Sequence, residues 1–310
     1  MRIVFFGSPT SALPSLQKIL EAGHRVELII TQPDKPSGRG KKLTPCPVKK
    51  FALERNIACY EPERIRQDST ALEKIQRINP DINVVVAYGQ IIPSSIIDLP
   101  PYKSVNIHFS LLPKYRGASP VQWAILNGEK KTGITIIQLN EKMDEGDILL
   151  QREVAIFHGE YAHALESRLA QIGAELLITA LSAIHQIRPV PQEHALATYA
   201  PKLHKESGCL DWTKEAAFID RQVRALTPWP SAHTFLRGKR IIILEGREKE
   251  SARHLCSPGK IMAVSKEGID VCCGDGCLYL ITRLQPENRK AMSAYAYALG
   301  IKKNDLSAFD

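Results

Sequence analysis

Apolar residues in the first half of the chain gather into short, mostly hydrophobic runs: RIVFFG (residues 2–7), HRVELIITQ (24–32), INVVVAYG (82–89), SVNIH (104–108) and TGITIIQL (132–139). Runs of this length with little polar alternation fit strands covered on both faces. Between them the apolar spacing becomes helical, through Ile19, over 46–55 and 69–78, and from Pro120 through ILNG. Alternation of this kind predicts an α/β unit: an open, mostly parallel sheet with helices on both faces.

From Tyr161 to Ile187 the positions Leu165, Leu169, Ile172 and Leu176 mark a long amphipathic helix that closes a first domain. The stretch after it carries prolines and no sustained period, and reads as a linker. Beyond a helix near 213–226, the runs KRIIIL, GKIMAV, GIDVCC and CLYLITRL are punctuated by Gly and Asp-Gly turns. That is the spacing of a small barrel or meander. The expected division is a domain over 1–189, a linker over 190–206 and a second domain over 207–310.

The net charge of +8 admits two readings, plain solubility or a polyanionic partner such as nucleic acid. Seven cysteines, an odd number in a long chain, argue against a secreted disulfide framework. The cluster VCCGDGC lacks separated Cys-x-x-Cys pairs and centres on a hairpin signal, so no metal site is expected. No apolar run reaches the ~18 residues of a membrane span, and the chain opens on a strand-like segment. A cytoplasmic protein is expected.

Asn106 and His108 sit two apart at a strand's end, so they face the same side, at the sheet edge where ligands of open parallel sheets bind. Asp144 follows in the loop after the next run, with Asp147 as a competitor for the same role. A carboxylate facing a histidine orients its ring, and an amide beside it is a neutral donor, so together they suit a developing oxyanion. Taken singly, a histidine at a strand end is more often a structural hydrogen-bonder, and an Asp before Gly is more often a turn residue. There is no Gly-x-Ser-x-Gly and no metal-ligand spacing, which favours direct transfer chemistry. Gly7-Ser8-Pro9 matches a dinucleotide fingerprint only at its first glycine.

The loop TQPDKPSGRGKKLTPCPVKK holds six cations and no acid between Lys35 and Lys50. It reads either as a solvated surface loop or as a grip on a phosphate backbone, and its length and position favour the grip.

Asn106-Ile107-His108, Ser110-Leu111-Leu112-Pro113, Tyr115-Arg116-Gly117-Ala118 with Pro120, and Met143-Asp144-Glu145-Gly146-Asp147 resemble the signatures of the folate-dependent formyltransferases. Gln32-Pro33-Asp34, Gly38 to Lys42, Pro45 to Lys49, Ala225 to Pro230 and Lys290-Ala291-Met292 are similar to the branch whose acceptor is methionyl-tRNA. Ser11 departs from the pattern, standing where the family usually has a bulky aromatic.

The resemblance implies a Rossmann-like catalytic domain and a C-terminal OB-like β-barrel that binds tRNA. It implies transfer of formyl from 10-formyltetrahydrofolate, without a metal, to the methionine amine of initiator methionyl-tRNA for translation initiation. Asn106, His108 and Asp144 would be catalytic. Ser110, Leu111, Leu112, Pro113, Tyr88, Gln90 and Ile91 would line the folate site, largely through backbone groups and apolar surface, and Arg39, Lys41 and Lys42 would meet the tRNA. No membrane partner is implied, and a monomer is expected. A small acceptor such as glycinamide ribonucleotide or an amino sugar needs neither the second domain nor the cationic loop. A nonenzymatic RNA binder leaves the coexistence of Asn106, His108 and Asp144 unexplained.

Overall fold

A computed structural model describes residues 1–37, 42–249, 254–301 and 307–310. The chain divides into two compact units, one of Met1–Pro120, Lys131–Ala155 and Glu166–Pro201, the other of Val121–Lys130, Ile156–Leu165 and Lys202–Asp310.

In the first unit the strands are β1 (Arg2–Gly7), β2 (Arg25–Ile30), β3 (Lys35–Ser37), β4 (Lys42–Thr44), β5 (Cys59–Tyr60), β6 (Ile82–Val86), β7 (Ser104–His108), β8 (Lys131–Gln138) and β9 (Ile148–Ala155). Seven of them form one sheet in the order β5-β2-β1-β6-β7-β8-β9, and β3 pairs with β4 apart from it. Pairings from β5 to β7 are parallel, whereas β7–β8 and β8–β9 are antiparallel. The mostly parallel α/β sheet predicted above is therefore present, with an antiparallel extension on one side.

Every residue of β6 is buried, as are Ile3 to Phe6 of β1, because helices cover both faces. The alternate residues Val4, Phe6, Leu28, Ile30 and Val85 turn to one face. There they pack on Ala71 and Ile75 of a helix over Ser69–Ile78 and on Ile96 and Ile97 of a short helix over Ser94–Ile97. The longer of these starts where Asp68 accepts from the Ala71 amide at 2.8 Å, and it stops where Asn79 turns left-handed. Strand order reverses between β1 and β6, so the loops after β1, β2, β6 and β7 share the carboxyl edge.

In the second unit, β10 (His233–Leu236), β11 (Lys239–Lys249), β12 (Ile261–Ser265), β13 (Gly268–Cys272), β14 (Leu278–Pro286) and β15 (Met292–Ser293) make an antiparallel sheet. Its order is β10-β11-β14-β13-β12, with β15 on β14. Among the described residues no β10–β12 pairing closes this path, so it is an open sheet consistent with, but short of, the OB-like barrel expected. The helix Ala216–Leu226 lays Ile219 and Val223 on Ile241, Ile243, Tyr279 and Ile281. Trp212 stacks on Phe309 with centroids 6.0 Å apart, and its indole donates to Thr234 Oγ1 at 2.9 Å. A disulfide joins Cys256 to Cys272, while Cys273 beside it is a buried free thiol.

Among the described residues no helix is long and apolar enough to cross a membrane, and no group of three or more His, Cys, Asp or Glu could hold a metal ion.

Ile281 is fully buried at the centre of the second unit's core. We expect Ile281→Ala to cost about 2–5 kcal/mol, read as a lower urea midpoint.

Candidate active site

β7 brings two polar side chains to the carboxyl edge by simple alternation, sending Ile107 to the opposite, buried face. Asn106 pairs through its backbone with Val85 and Ile137. Its half-buried amide has no hydrogen-bond partner among the described residues. His108 is buried, with Nε2 2.9 Å from the Tyr115 carbonyl oxygen. A carbonyl only accepts, so Nε2 carries the hydrogen. Nδ1 therefore faces Asp144, whose Oδ1 is 3.7 Å away, within ion-pair reach but longer than a hydrogen bond. The other Asp144 oxygen accepts from the Gly117 amide at 2.8 Å. Asp147, the competing aspartate, instead gives its carbonyl to the Gln138 amide at the mouth of β8 and β9.

The loop carrying Asp144 is held tightly. Asp144 itself has φ 55°, the left-handed region an L-residue enters at a cost. A Cβ on Gly146 would collide with the Gln138 carbonyl. Inside this loop lies Arg116, 2% exposed, with Nη1 3.3 Å from Glu145 and Nη2 3.0 Å from His194 Nδ1. Its Nε and Nη2 donate to Gln192 Oε1 at 3.1 and 2.7 Å.

The turn after β7 is shaped from beneath by β8 and β9. Thr135 Oγ1 donates to the Ser110 carbonyl at 2.7 Å and accepts from the Leu112 amide at 3.1 Å. Gln151 of β9 donates to the Leu112 carbonyl at 2.6 Å and to Thr135 at 3.0 Å. Ser110 Oγ closes the turn on the Lys114 carbonyl at 2.6 Å. Ser110 and Leu112 are buried while Leu111 and Pro113 are half-buried, and the Leu112–Pro113 peptide is cis.

The turn after β6 keeps its polar side chains for the protein itself. Tyr88 is a core residue edge-on to Phe6, its phenol pushed upward in pKa by burial. Only its carbonyl reaches the edge, where it accepts from Gln32 Nε2 at 2.7 Å. The Gln90 amide is spent on the Ile65 amide at 2.9 Å and on the Pro62 and Glu63 carbonyls at 3.3 Å. Ile91 alone of the three presents an exposed apolar side chain.

Of the loop cations, Lys49 lies at the root, bonded to Asp34 at 2.8 Å and Glu61 at 2.7 Å, and both bonds raise its pKa. Lys35 donates to Gln32 Oε1. Arg39 and Lys41 lie outside the described residues, as does the side chain of Lys42, whose backbone pairs with Ser37. Ser11 is buried, and its hydroxyl has no partner among the described residues.

Sequence reasoning gathered Asn106, His108 and Asp144, and the fold brings them to one place. It missed Gln192, Thr135 and Gln151. The only available signal was Thr135 and Gln151 standing as polar residues opposite the Ser110–Pro113 turn.

An amide without a partner among the described residues, an oriented histidine and an aspartate at the carboxyl edge of a mostly parallel sheet make an arrangement able to stabilise an oxyanion. The family model for formyl transferase matches residues 1–181, and that for the formyl transferase C-terminal domain matches 202–302; the chain belongs to the formyl transferase family. It is 42% identical to the methionyl-tRNA formyltransferase of Geobacter sulfurreducens, over 97% of this chain and 94% of that protein. With the protein of that name from Sulfurihydrogenibium sp. it shares 43% identity, over 97% of each chain. Among solved structures, HypX from Aquifex aeolicus in complex with tetrahydrofolic acid has TM-score 0.67 at 20% identity. This match covers 97% of the present chain but only 47% of HypX, so the chain spans about half its length. WlaRD, a sugar 3N-formyl transferase, has TM-score 0.66 at 20% identity, covering 94% of this chain and 99% of that one. At these identities the two structures speak for the fold.

Thr135 is fully buried and serves the Ser110–Leu112 turn with its hydrogen and one lone pair, while the other accepts from Gln151. Thr135→Val keeps the shape but strands the Ser110 carbonyl and the Leu112 amide, and should lower unfolding free energy by about 2–3 kcal/mol in a urea titration.

Proposed function

We propose that this chain transfers the formyl group of 10-formyltetrahydrofolate to the α-amine of methionine on initiator methionyl-tRNA. The products are N-formylmethionyl-tRNA for translation initiation and tetrahydrofolate. One observation carries this reading. Identity of 41–43% to proteins named methionyl-tRNA formyltransferase runs through both units, over 94–97% of those proteins' own lengths in the cases at hand. The likeness to WlaRD, a sugar 3N-formyl transferase, also runs over 94% of this chain, so it is the identity to the methionyl-tRNA enzymes, not the presence of a second unit, that points to a tRNA-borne acceptor.

The amine attacks the formyl carbon, and the carbonyl oxygen takes up negative charge in a tetrahedral intermediate. Asn106 meets that charge with an amide N–H that no other group uses, and His108 lies beside it on the same face. Asp144 holds the imidazole from the Nδ1 side. The open 3.7 Å gap leaves that edge free to pass the amine's proton toward the folate nitrogen as the carbon–nitrogen bond breaks. One proton leaves the amine and one reaches the departing nitrogen, so the pair returns to its starting state.

The donor's flat ring would lie on the apolar surface that Leu111, Pro113 and the exposed Ile91 offer, on a turn whose own polar groups are tied down by Thr135 and Gln151. Tyr88 and Gln90 act there through backbone and as supports. Arg39, Lys41 and Lys42 meet the acceptor arm of the tRNA, and basic residues of the second unit hold its body. The division into a catalytic domain over 1–189, a linker over 190–206 and a tRNA-binding domain over 207–310 follows the same reading. We expect a cytoplasmic monomer.

The deciding experiment incubates the protein with 10-formyltetrahydrofolate, methionyl-tRNA and glycinamide ribonucleotide together. Formyl on the tRNA alone supports the reading, and formyl on the ribonucleotide defeats it. His108→Ala should lower kcat at least about 1000-fold, with tRNA affinity by filter binding within about threefold of the parent. Arg39→Ala should raise KM for methionyl-tRNA about tenfold and flatten its salt dependence while folate affinity stays unchanged. An equal fall in folate affinity would reassign the loop.

A further inference from the structure

Gln192 lies in a stretch without apolar period, yet it is 5% exposed and spends both amide hydrogens on one loop. Its Nε2 donates to the Asp144 carbonyl at 2.8 Å and to the Gly146 carbonyl at 2.7 Å. Its Oε1 accepts twice from Arg116, whose third nitrogen is 3.3 Å from Glu145. We propose that Gln192 is a positioning residue: it clamps the main chain on either side of Glu145, and so fixes where the Asp144 carboxylate meets His108. The proposal rests on the formyl-transfer reading of the site.

The physical need for a clamp is local. Asp144 sits at φ 55°, which an isolated chain would leave for the ordinary right-handed or extended regions. Its carboxylate makes one backbone hydrogen bond, from Gly117, and no direct hydrogen bond to His108. Side-chain bonding alone therefore leaves the Asp144 backbone free to relax. Two donors from one buried amide, placed on the carbonyls of residues 144 and 146, hold the peptide planes on both sides. The amide can do this only while its oxygen is held by Arg116, which anchors it from the opposite end. Arg116 is also bonded through its own backbone to Thr198 and Ala200, so the clamp's base is set in paired chain.

A carboxylate at position 192 keeps the partner for Arg116 and loses both donors. Gln192→Glu thus separates holding the arginine from holding the loop. In the full-length protein we expect Gln192→Glu to keep its thermal midpoint within a few degrees. Its kcat should fall about 10–100-fold, the scale of a catalytic group misplaced by about 1 Å, with KM for folate and for methionyl-tRNA within about threefold. Gln192→Leu, which also strands Arg116, should lose stability as well as kcat.

A readout independent of turnover accompanies these measurements. The ring nitrogen resonances of His108 in protein labelled with ¹⁵N-histidine should move in Gln192→Glu. Unmoved resonances with kcat within threefold of the parent would overturn the clamp. So would a rise in KM at constant kcat, which places Gln192 in substrate binding. An inactive parent defeats the formyl-transfer reading, and the His108 resonances still decide whether Gln192 positions Asp144.

Discussion

A carbonyl oxygen cannot donate a hydrogen bond, and that constraint organises the candidate site. With the Tyr115 carbonyl 2.9 Å from His108 Nε2, the ring's hydrogen and orientation are set by backbone. Only the Nδ1 edge remains for a carboxylate, and Asp144 occupies that side. For Tyr115 to offer its carbonyl there, its own φ is 61°, and the following residues pair with Thr198 and Ala200. The geometry at His108 is thus paid for by two left-handed residues, Tyr115 and Asp144, each held by a neighbouring segment.

The two halves of the seven-stranded sheet divide the labour. Parallel strands end together, so β1, β2, β6 and β7 deliver their loops to one edge, where Gln32 joins them by donating to Ser8 Oγ and to the Tyr88 carbonyl. The antiparallel pair β8–β9 runs beneath the turn after β7 and supplies Thr135 and Gln151 as its floor. A purely parallel sheet would have placed a helix connection there. An antiparallel strand beside β7 sets His108 opposite Thr135 in register and brings side-chain donors under Ser110–Leu112.

How much of this the sequence disclosed follows from what periodicity can carry. The runs later found as β1, β2, β6, β7 and β8 were legible because burial on both faces leaves apolar residues at nearly every position. Strand β9 was not, since this edge strand exposes Gln151, Arg152 and Glu153 and reads as a polar loop. Asn106 and His108 were legible because alternation fixes their common face without further knowledge. Gln192 was invisible: its importance lies in bonds to residues 116, 144 and 146, and its neighbours, between prolines, show no period.

Charge counting meets the same limit in the cationic loop. Six cations with no acid among them suggest a uniform grip, yet the acids that matter lie just outside the counted span, at Asp34 and Glu61. They take Lys49 for the root of the β3–β4 hairpin, and Gln32 takes Lys35. The root is therefore built into the same hydrogen-bond lattice that shapes the turn after β6, because Gln32 serves both. A loop whose stem shares a residue with the turn after β6 starts from a fixed origin beside β1. A charge count along the chain cannot separate such paired, half-buried cations from those left to solvent.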